Sequence, residues 1–300
     1  MKVAVIGSGA IGMLVAASLR SHDVTIYVRR KEQMMSIRER GIEVRRERSK
    51  EYTYPDCQRF TYDGTWRKAD LIIFAMKQYD IQPLLEKLQI DDRQLPACVF
   101  LQNGMAHIPL LKGWRSPVVI GVVTHGAMKS NDRVAVHTGE GNLFLGELNK
   151  SGEPTAHLLA SEMIQGGLKA SYEHKIEQSL QQKLVINACI NPLTALYDIY
   201  NGELLECEEY YSNLQALFYE VIQVIQIESV EEHWETVRRV IQQTANNRSS
   251  MSVDLRSNHK TEVDAILGYI LEEGRSMSVS LPLVTFLYHS ITGMERRQSS

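Results

Sequence analysis

Six residues near the start of the chain, Gly7-Ser8-Gly9-Ala10-Ile11-Gly12, follow an apolar run at 2–6 and open an amphipathic segment at 11–20. A G-x-G-x-x-G turn between a buried strand and a helix cradles a dinucleotide pyrophosphate. Gly7 permits the tight turn, Gly9 lets the backbone approach the phosphates, and Gly12 lets helix and strand pack closely. The helix start offers unpaired N–H groups and positive dipole to the same anion. At the end of the next strand the chain reads Arg29-Arg30-Lys31, with no carboxylate before Glu32. An acidic residue there would hold a ribose 2′-hydroxyl; cations suit a 2′-phosphate, which a guanidinium grips with two parallel hydrogen bonds. The expected cofactor is therefore NADP(H), with Arg29 as the 2′-phosphate contact.

Two further strand ends carry polar groups on the edge where such sheets bind ligands, Lys77 after 71–76 and Asn103-Gly104 after 99–102. Lys77 could reach a phosphate or an anionic substrate, and Asn103 the nicotinamide ribose or the substrate. In the second half, Lys183, Asn187 and Asn191 recur every four residues in the apolar segment 178–195, forming one stripe along a helix. That stripe lines a polar cleft or is the solvated face of an amphipathic helix. Pro192 is expected to bend or loosen the helix beside Asn191. Asn246-Asn247-Arg248-Ser249-Ser250-Met251 favours a turn and a helix N-cap. Thr261-Glu262-Val263-Asp264 reads as a capping box that puts Glu262 in the first turn of another helix.

The elements that position these residues alternate in the first half. Apolar runs at 2–6, 24–28, 71–75, 98–101 and 118–123 read as strands, and segments 11–20, 31–40 and 81–88 as helices. This is the pattern of an α/β, doubly wound, parallel Rossmann-type sheet. A last strand-like segment at 169–172 precedes a helical run from about Ile176, and segments such as 214–227 and 263–271 keep three- and four-residue apolar spacing. We expect a cofactor domain over 1–173 and an all-helical second domain over 174–300, ending in a frayed tail at 295–300.

At 300 residues the chain is long enough for two cores. Lys plus Arg number 33 against 36 Asp plus Glu, a formal charge of −3, which gives no general attraction for nucleic acid or an anionic membrane. No apolar run suggests a transmembrane helix or a secretion signal. Cys57, Cys98, Cys189 and Cys207 form no CxxC pair, and the nine histidines show no metal-helix spacing, so no metal site is expected and the cytoplasm is the expected compartment.

Taken together, the motifs resemble the 2-dehydropantoate 2-reductase (ketopantoate reductase) family across nearly the whole chain. The resemblance rests on Gly7 to Gly12, on Leu101-Gln102-Asn103-Gly104-Met105, and on the K-x3-N-x3-N-P-L-T-A run from Lys183 to Ala195. Asn201-Gly202-Glu203-Leu204, Asn247-Arg248-Ser249-Ser250-Met251 and Thr261-Glu262-Val263-Asp264 extend it. It implies a Rossmann domain and a helical domain with the active site in the cleft between them, and reduction of 2-dehydropantoate by NADPH in pantothenate and coenzyme A biosynthesis. It further implies Lys183 and Glu262 as catalytic residues. Asn103, Lys183, Asn187, Asn191, Asn247 and Ser250 become substrate contacts, and Arg29, Lys77 and Asn103 cofactor contacts. The chain departs from the family's pattern at Ala106, where glycine is frequent, and at 256–260. Other readings on the same scaffold are a reductase of another small 2-ketoacid and a non-catalytic NADP(H)-binding redox sensor. A homodimer is a possible assembly.

Overall fold

The structure is a computed structural model describing residues 1–88, 92–225, 227 and 229–298. It divides into two compact units, residues 1–102 with 107–177, and residues 103–106 with 178–298 of the described chain. The sequence put the boundary near His174; the units divide after Glu177, and the four residues 103–106 belong with the second.

In chain order the first unit contains β1 (Lys2–Ile6), α1 (Ala10–Ser18), β2 (Asp23–Val28), α2 (Lys31–Arg40), β3 (Ile42–Arg46), β4 (Ser49–Thr53), β5 (Asp56–Arg59) and β6 (Leu71–Phe74). There follow α3 (Ile81–Leu88), β7 (Ala97–Phe100), α4 (Ile108–Leu111), β8 (Val118–Val123), β9 (Gly126–Asn131), β10 (Val134–Gly139), β11 (Leu143–Glu147), α5 (Glu153–Gln165) and β12 (Ala170–Tyr172). Eight strands form one sheet in the order β12-β11-β8-β7-β6-β1-β2-β5. All neighbours in it run parallel except β11 against β8. The central strands are apolar and buried throughout (β6 is Leu-Ile-Ile-Phe), because crossover helices cover a parallel sheet on both faces.

A second sheet, β4-β3-β10-β9, was not anticipated. Its strands are polar (Ser-Lys-Glu-Tyr-Thr in β4, Gly-Ala-Met-Lys-Ser-Asn in β9), with one mostly solvated face, so they lack the apolar runs that mark the large sheet. Helix α1 packs against β1 of the large sheet and against β3, β9 and β10 of the small one, which explains why seven of its nine residues are buried. Within the small sheet the buried carboxylate of Glu43 is held by Arg45 at 2.7 Å and Arg133 at 3.5 Å.

The second unit is helical: α6 (Ile176–Tyr197, whose first two residues fall in the first unit), α7 (Glu203–Glu206), α8 (Glu208–Val221), α9 (Val230–Gln243), α10 (Ser250–Arg256), α11 (Tyr269–Ser276) and α12 (Pro282–Gln298). Helix α6 continues through Pro192 to Tyr197, so the expected loosening does not interrupt it; Pro192 to Ala195 are all buried, and packing holds the helix where the proline removes an N–H. The expected frayed tail is helical as far as Gln298, the rest lying outside the described residues.

The expected capping box does not form. Thr261 Oγ1 accepts from the Val263 N–H at 3.1 Å, and its own N–H donates to Glu295 Oε1 at 2.6 Å. The Asp264 carboxylate accepts instead from the Tyr288 hydroxyl at 2.9 Å and lies 3.3 Å from Lys260. Residues 264–268 then run as a π-helix before α11, a form concentrated at functional sites.

Candidate functional site

In the first unit, Gly7 has φ +111, and a Cβ there would lie 2.7 Å from the Met76 nitrogen. A Cβ at Gly12 would lie 1.9 Å from the Gly7 oxygen. These two glycines are therefore demanded by the fold itself. Gly9 differs: a Cβ there would meet nothing within 4 Å, so its hydrogen faces open space at the start of α1. The first turn of α1 has neither a side-chain cap nor an acidic residue. An open cradle over backbone N–H groups at a positive helix end fits a pyrophosphate.

The buried side chain of Gln33, which sequence reasoning passed over, fastens this turn. Its Nε2 donates to the Ser8 carbonyl at 3.2 Å and to the Asp132 carbonyl at 2.8 Å. Its partners are 25 and 99 residues away, so no local signal marks it. Arg29 follows β2 and Lys77 follows β6, placing both at the carboxyl edge of the sheet; Lys77 is half-buried. The Arg29 guanidinium pairs with Asp80, and Arg30 pairs with Asp132.

In the second unit, Gly104 adopts φ +74, and a Cβ would come within 2.2 Å of the Ala265 oxygen. Only glycine permits this approach, which brings Asn103 beside Glu262, a bend residue that immediately precedes the helix instead of lying in its first turn as expected. Asn103 Nδ2 donates to Glu262 Oε2 at 2.9 Å, and Glu262 is buried. Lys183, half-buried on α6, interacts electrostatically with the same carboxylate. Burial pulls its ammonium from 10.5 to about 8, and the Glu262 charge opposes that fall. Three residues far apart in sequence thus form one polar cluster within an apolar unit.

Asn187 is half-buried and Asn191 buried on the same stripe of α6. Asn191 Nδ2 lies 3.5 Å from the Ser250 hydroxyl, at the limit of a hydrogen bond. A chain of hydroxyls fixes that approach. The Ser252 N–H donates to Ser249 Oγ at 3.2 Å, the two hydroxyls of Ser249 and Thr194 lie 2.8 Å apart, and Thr194 Oγ1 donates to the Ile190 carbonyl at 2.8 Å. Asn247 and Ser250 themselves are exposed. The Asn201 N–H donates to the Asn247 carbonyl at 3.0 Å, so the Asn201-Gly202 turn holds the loop presenting Asn247. Among the described residues no group of three or more His, Cys, Asp or Glu is placed to hold a metal ion, and no helix is long and apolar enough to cross a membrane.

The chain matches two family models, "Ketopantoate reductase PanE/ApbA" over residues 3–150 and "Ketopantoate reductase PanE/ApbA C terminal" over residues 175–295. It is 36% identical to 2-dehydropantoate 2-reductase of Bacillus subtilis, covering 99% of this chain and 98% of that protein. The crystal structure of the probable 2-dehydropantoate 2-reductase panE from Bacillus subtilis superposes with TM-score 0.83 at 35% identity, covering 98% of this chain and 100% of that one. A ternary structure of D-mandelate dehydrogenase with NADH and anilino(oxo)acetate shares the fold, at TM-score 0.86 and 22% identity, over 100% of this chain and 99% of that one.

Proposed function

The chain belongs to the ketopantoate reductase family, and from that premise we propose that it catalyses the NADPH-dependent reduction of 2-dehydropantoate to pantoate in pantothenate and coenzyme A biosynthesis. The observation that carries the reading is the Lys183, Glu262 and Asn103 cluster of the second unit. Bound NADPH supplies the hydride for the ketone carbon. As that carbon is reduced its oxygen becomes an alkoxide, and the Lys183 ammonium stabilises the charge and donates a proton to it. With its pKa lowered to about 8, Lys183 is a stronger acid than an ordinary lysine yet remains mostly protonated at neutral pH.

The buried Glu262 carboxylate sustains that charge and holds the Asn103 amide through its Oε2. Asn187, Asn191 and Asn247 are assigned to the substrate's oxygens, and Ser250 to its carboxylate. In the first unit, Gly7 to Gly12 are assigned to the pyrophosphate, Arg29 to the 2′-phosphate and Lys77 to the nicotinamide end, and Asn103 of the second unit is assigned to the nicotinamide end as well. Residues 1–173 then serve the cofactor and 174–300 the substrate, with Asn103 contributing to both. A cytoplasmic location follows from a biosynthetic role of this kind, and a sedimentation run at micromolar concentration tests the expected homodimer.

The test is loss of NADPH absorbance on mixing the protein with 2-dehydropantoate, beside NADH and beside pyruvate and 2-ketoisovalerate. Oxidation of NADPH with 2-dehydropantoate well above the other ketoacids is expected. Equal or faster turnover of another ketoacid overturns the substrate assignment.

A further inference from the structure

The sequence offers Arg29, Arg30 and Lys31 as an uncompensated cationic patch, but the fold delivers carboxylates to two of them. Asp80 reaches Arg29 from the turn after β6, and Asp132 reaches Arg30 from the turn between β9 and β10. The two pairs differ. Asp132 also lies 3.6 Å from Lys129, so Arg30 shares a carboxylate that has a second cation. Arg29 pairs with Asp80.

The position of this pair matters more than its strength. In the large sheet β1 lies between β6 and β2. Arg29 directly follows β2, and Asp80 closes the 3-10 turn that follows β6. With about 4.8 Å between neighbouring strands, the two side chains together span about 10 Å across the carboxyl end of β1, where the Gly7 to Gly12 turn begins. The pair therefore crosses the edge at which the adenosine end of a dinucleotide lies. Asp80 is largely buried there, with 22% side-chain exposure, whereas Arg29 is 64% exposed. The carboxylate is the fixed partner and the guanidinium the movable one.

We propose that Asp80 is a positioning residue that sets discrimination between NADPH and NADH by competing with the 2′-phosphate for the Arg29 guanidinium. This rests on the cofactor reading above and deepens it. A 2′-phosphate must share Arg29 with Asp80 or displace it, and it meets the Asp80 charge as it does so. NADH carries no 2′-phosphate and meets no such competition. The chain thus accepts NADH more readily than the cationic sequence Arg29-Arg30-Lys31 implies, and removing the Asp80 charge sharpens the preference for NADPH.

The test uses the full-length protein and equilibrium binding, read by nicotinamide fluorescence or calorimetry, with no turnover required. Asp80→Asn keeps the size of the side chain and removes the charge. It is expected to tighten NADPH binding roughly three- to tenfold, the range of an exposed ion pair plus a like-charge repulsion, and to leave NADH binding unchanged. The gain shrinks as salt rises from 0.05 to about 0.5 M, because screening weakens the competing charge. In an Arg29→Ala background the Asp80→Asn effect on NADPH shrinks to the like-charge repulsion alone, since the contested group is gone. Unchanged or weaker NADPH binding in Asp80→Asn overturns the proposal, as does a full effect without Arg29. If the unsubstituted protein binds neither cofactor, the cofactor reading fails and the inference falls with it; binding by that protein with no response to Asp80→Asn sinks the inference alone.

Discussion

Replacing Glu262 with Gln removes the charge that sustains Lys183 while keeping the side chain's volume and an oxygen to accept from Asn103 Nδ2. In the unsubstituted protein Lys183 sits at about 8, burial lowering it and Glu262 raising it. A nearby opposite charge contributes about one to three pKa units, and a loss of about 1.5 units in Glu262→Gln brings Lys183 to about 6.5. At pH 7.5 the protonated fraction then falls from about 0.76 to about 0.09, a loss of about eightfold in any rate that needs the ammonium. At pH 5.5 the two proteins differ by only about a tenth in that fraction. Reduction consumes the proton of Lys183, so activity is present below its pKa and is lost as pH rises through it. The assay is NADPH oxidation at saturating 2-dehydropantoate from pH 5.5 to 9, with the alkaline limb fitted for each protein. A limb that stays near 8 in Glu262→Gln while KM rises would refute the electrostatic argument and assign Glu262 to the substrate hydroxyl.

The two kinds of glycine in the phosphate turn separate in a binding and melting experiment. Gly9→Ala should leave the melting temperature unchanged and weaken NADPH binding, whereas Gly12→Ala should lower the melting temperature sharply because its Cβ meets the Gly7 oxygen at 1.9 Å. His107 gives a stability signature. It is fully buried with neither ring nitrogen hydrogen-bonded, and burial lowers its pKa from 6.5 to about 4. The unfolded chain therefore takes up the proton first, and stability is lost as pH falls from 6.5 towards 4, about 2 kcal/mol of it by pH 5. His107→Leu should remove that part of the acid sensitivity, measured as urea midpoints at pH 7.5 and 5; an unchanged pH slope would show that other groups carry it.

The parts of the fold legible in the sequence were those where a single residue type is forced by local physics. Apolar runs marked β1, β2, β6, β7 and β8 to within a residue or two, because a strand buried on both faces tolerates little else. Gly7 and Gly12 stood out because each occupies a backbone position that admits no Cβ, whereas the same demand at Gly104 emerged only with its approach to Ala265. What stayed hidden depends on distant partners. The small sheet exposes one face, so Glu43 and the arginines around it show no apolar run although the carboxylate is buried. The cations after β2 looked free because Asp80 and Asp132 lie about 50 and 100 residues further on. Thr261 and Asp264 had the spacing of a capping box, but Glu295, Tyr288 and Lys260 offered their polar groups stronger partners. In the site, four-residue spacing aligned Lys183, Asn187 and Asn191, while the link from Asn103 to Glu262 spans 159 residues and has no local signature.

The central claim is that Lys183 protonates the oxygen of the reduced ketone, and Lys183→Ala tests it most directly. Turnover of 2-dehydropantoate at saturating NADPH, the NADPH dissociation constant and the melting curve are measured on the same preparation. The account predicts a loss in kcat of about 10²- to 10⁴-fold, with NADPH affinity unchanged and the protein folded. Turnover close to that of the unsubstituted protein would contradict it.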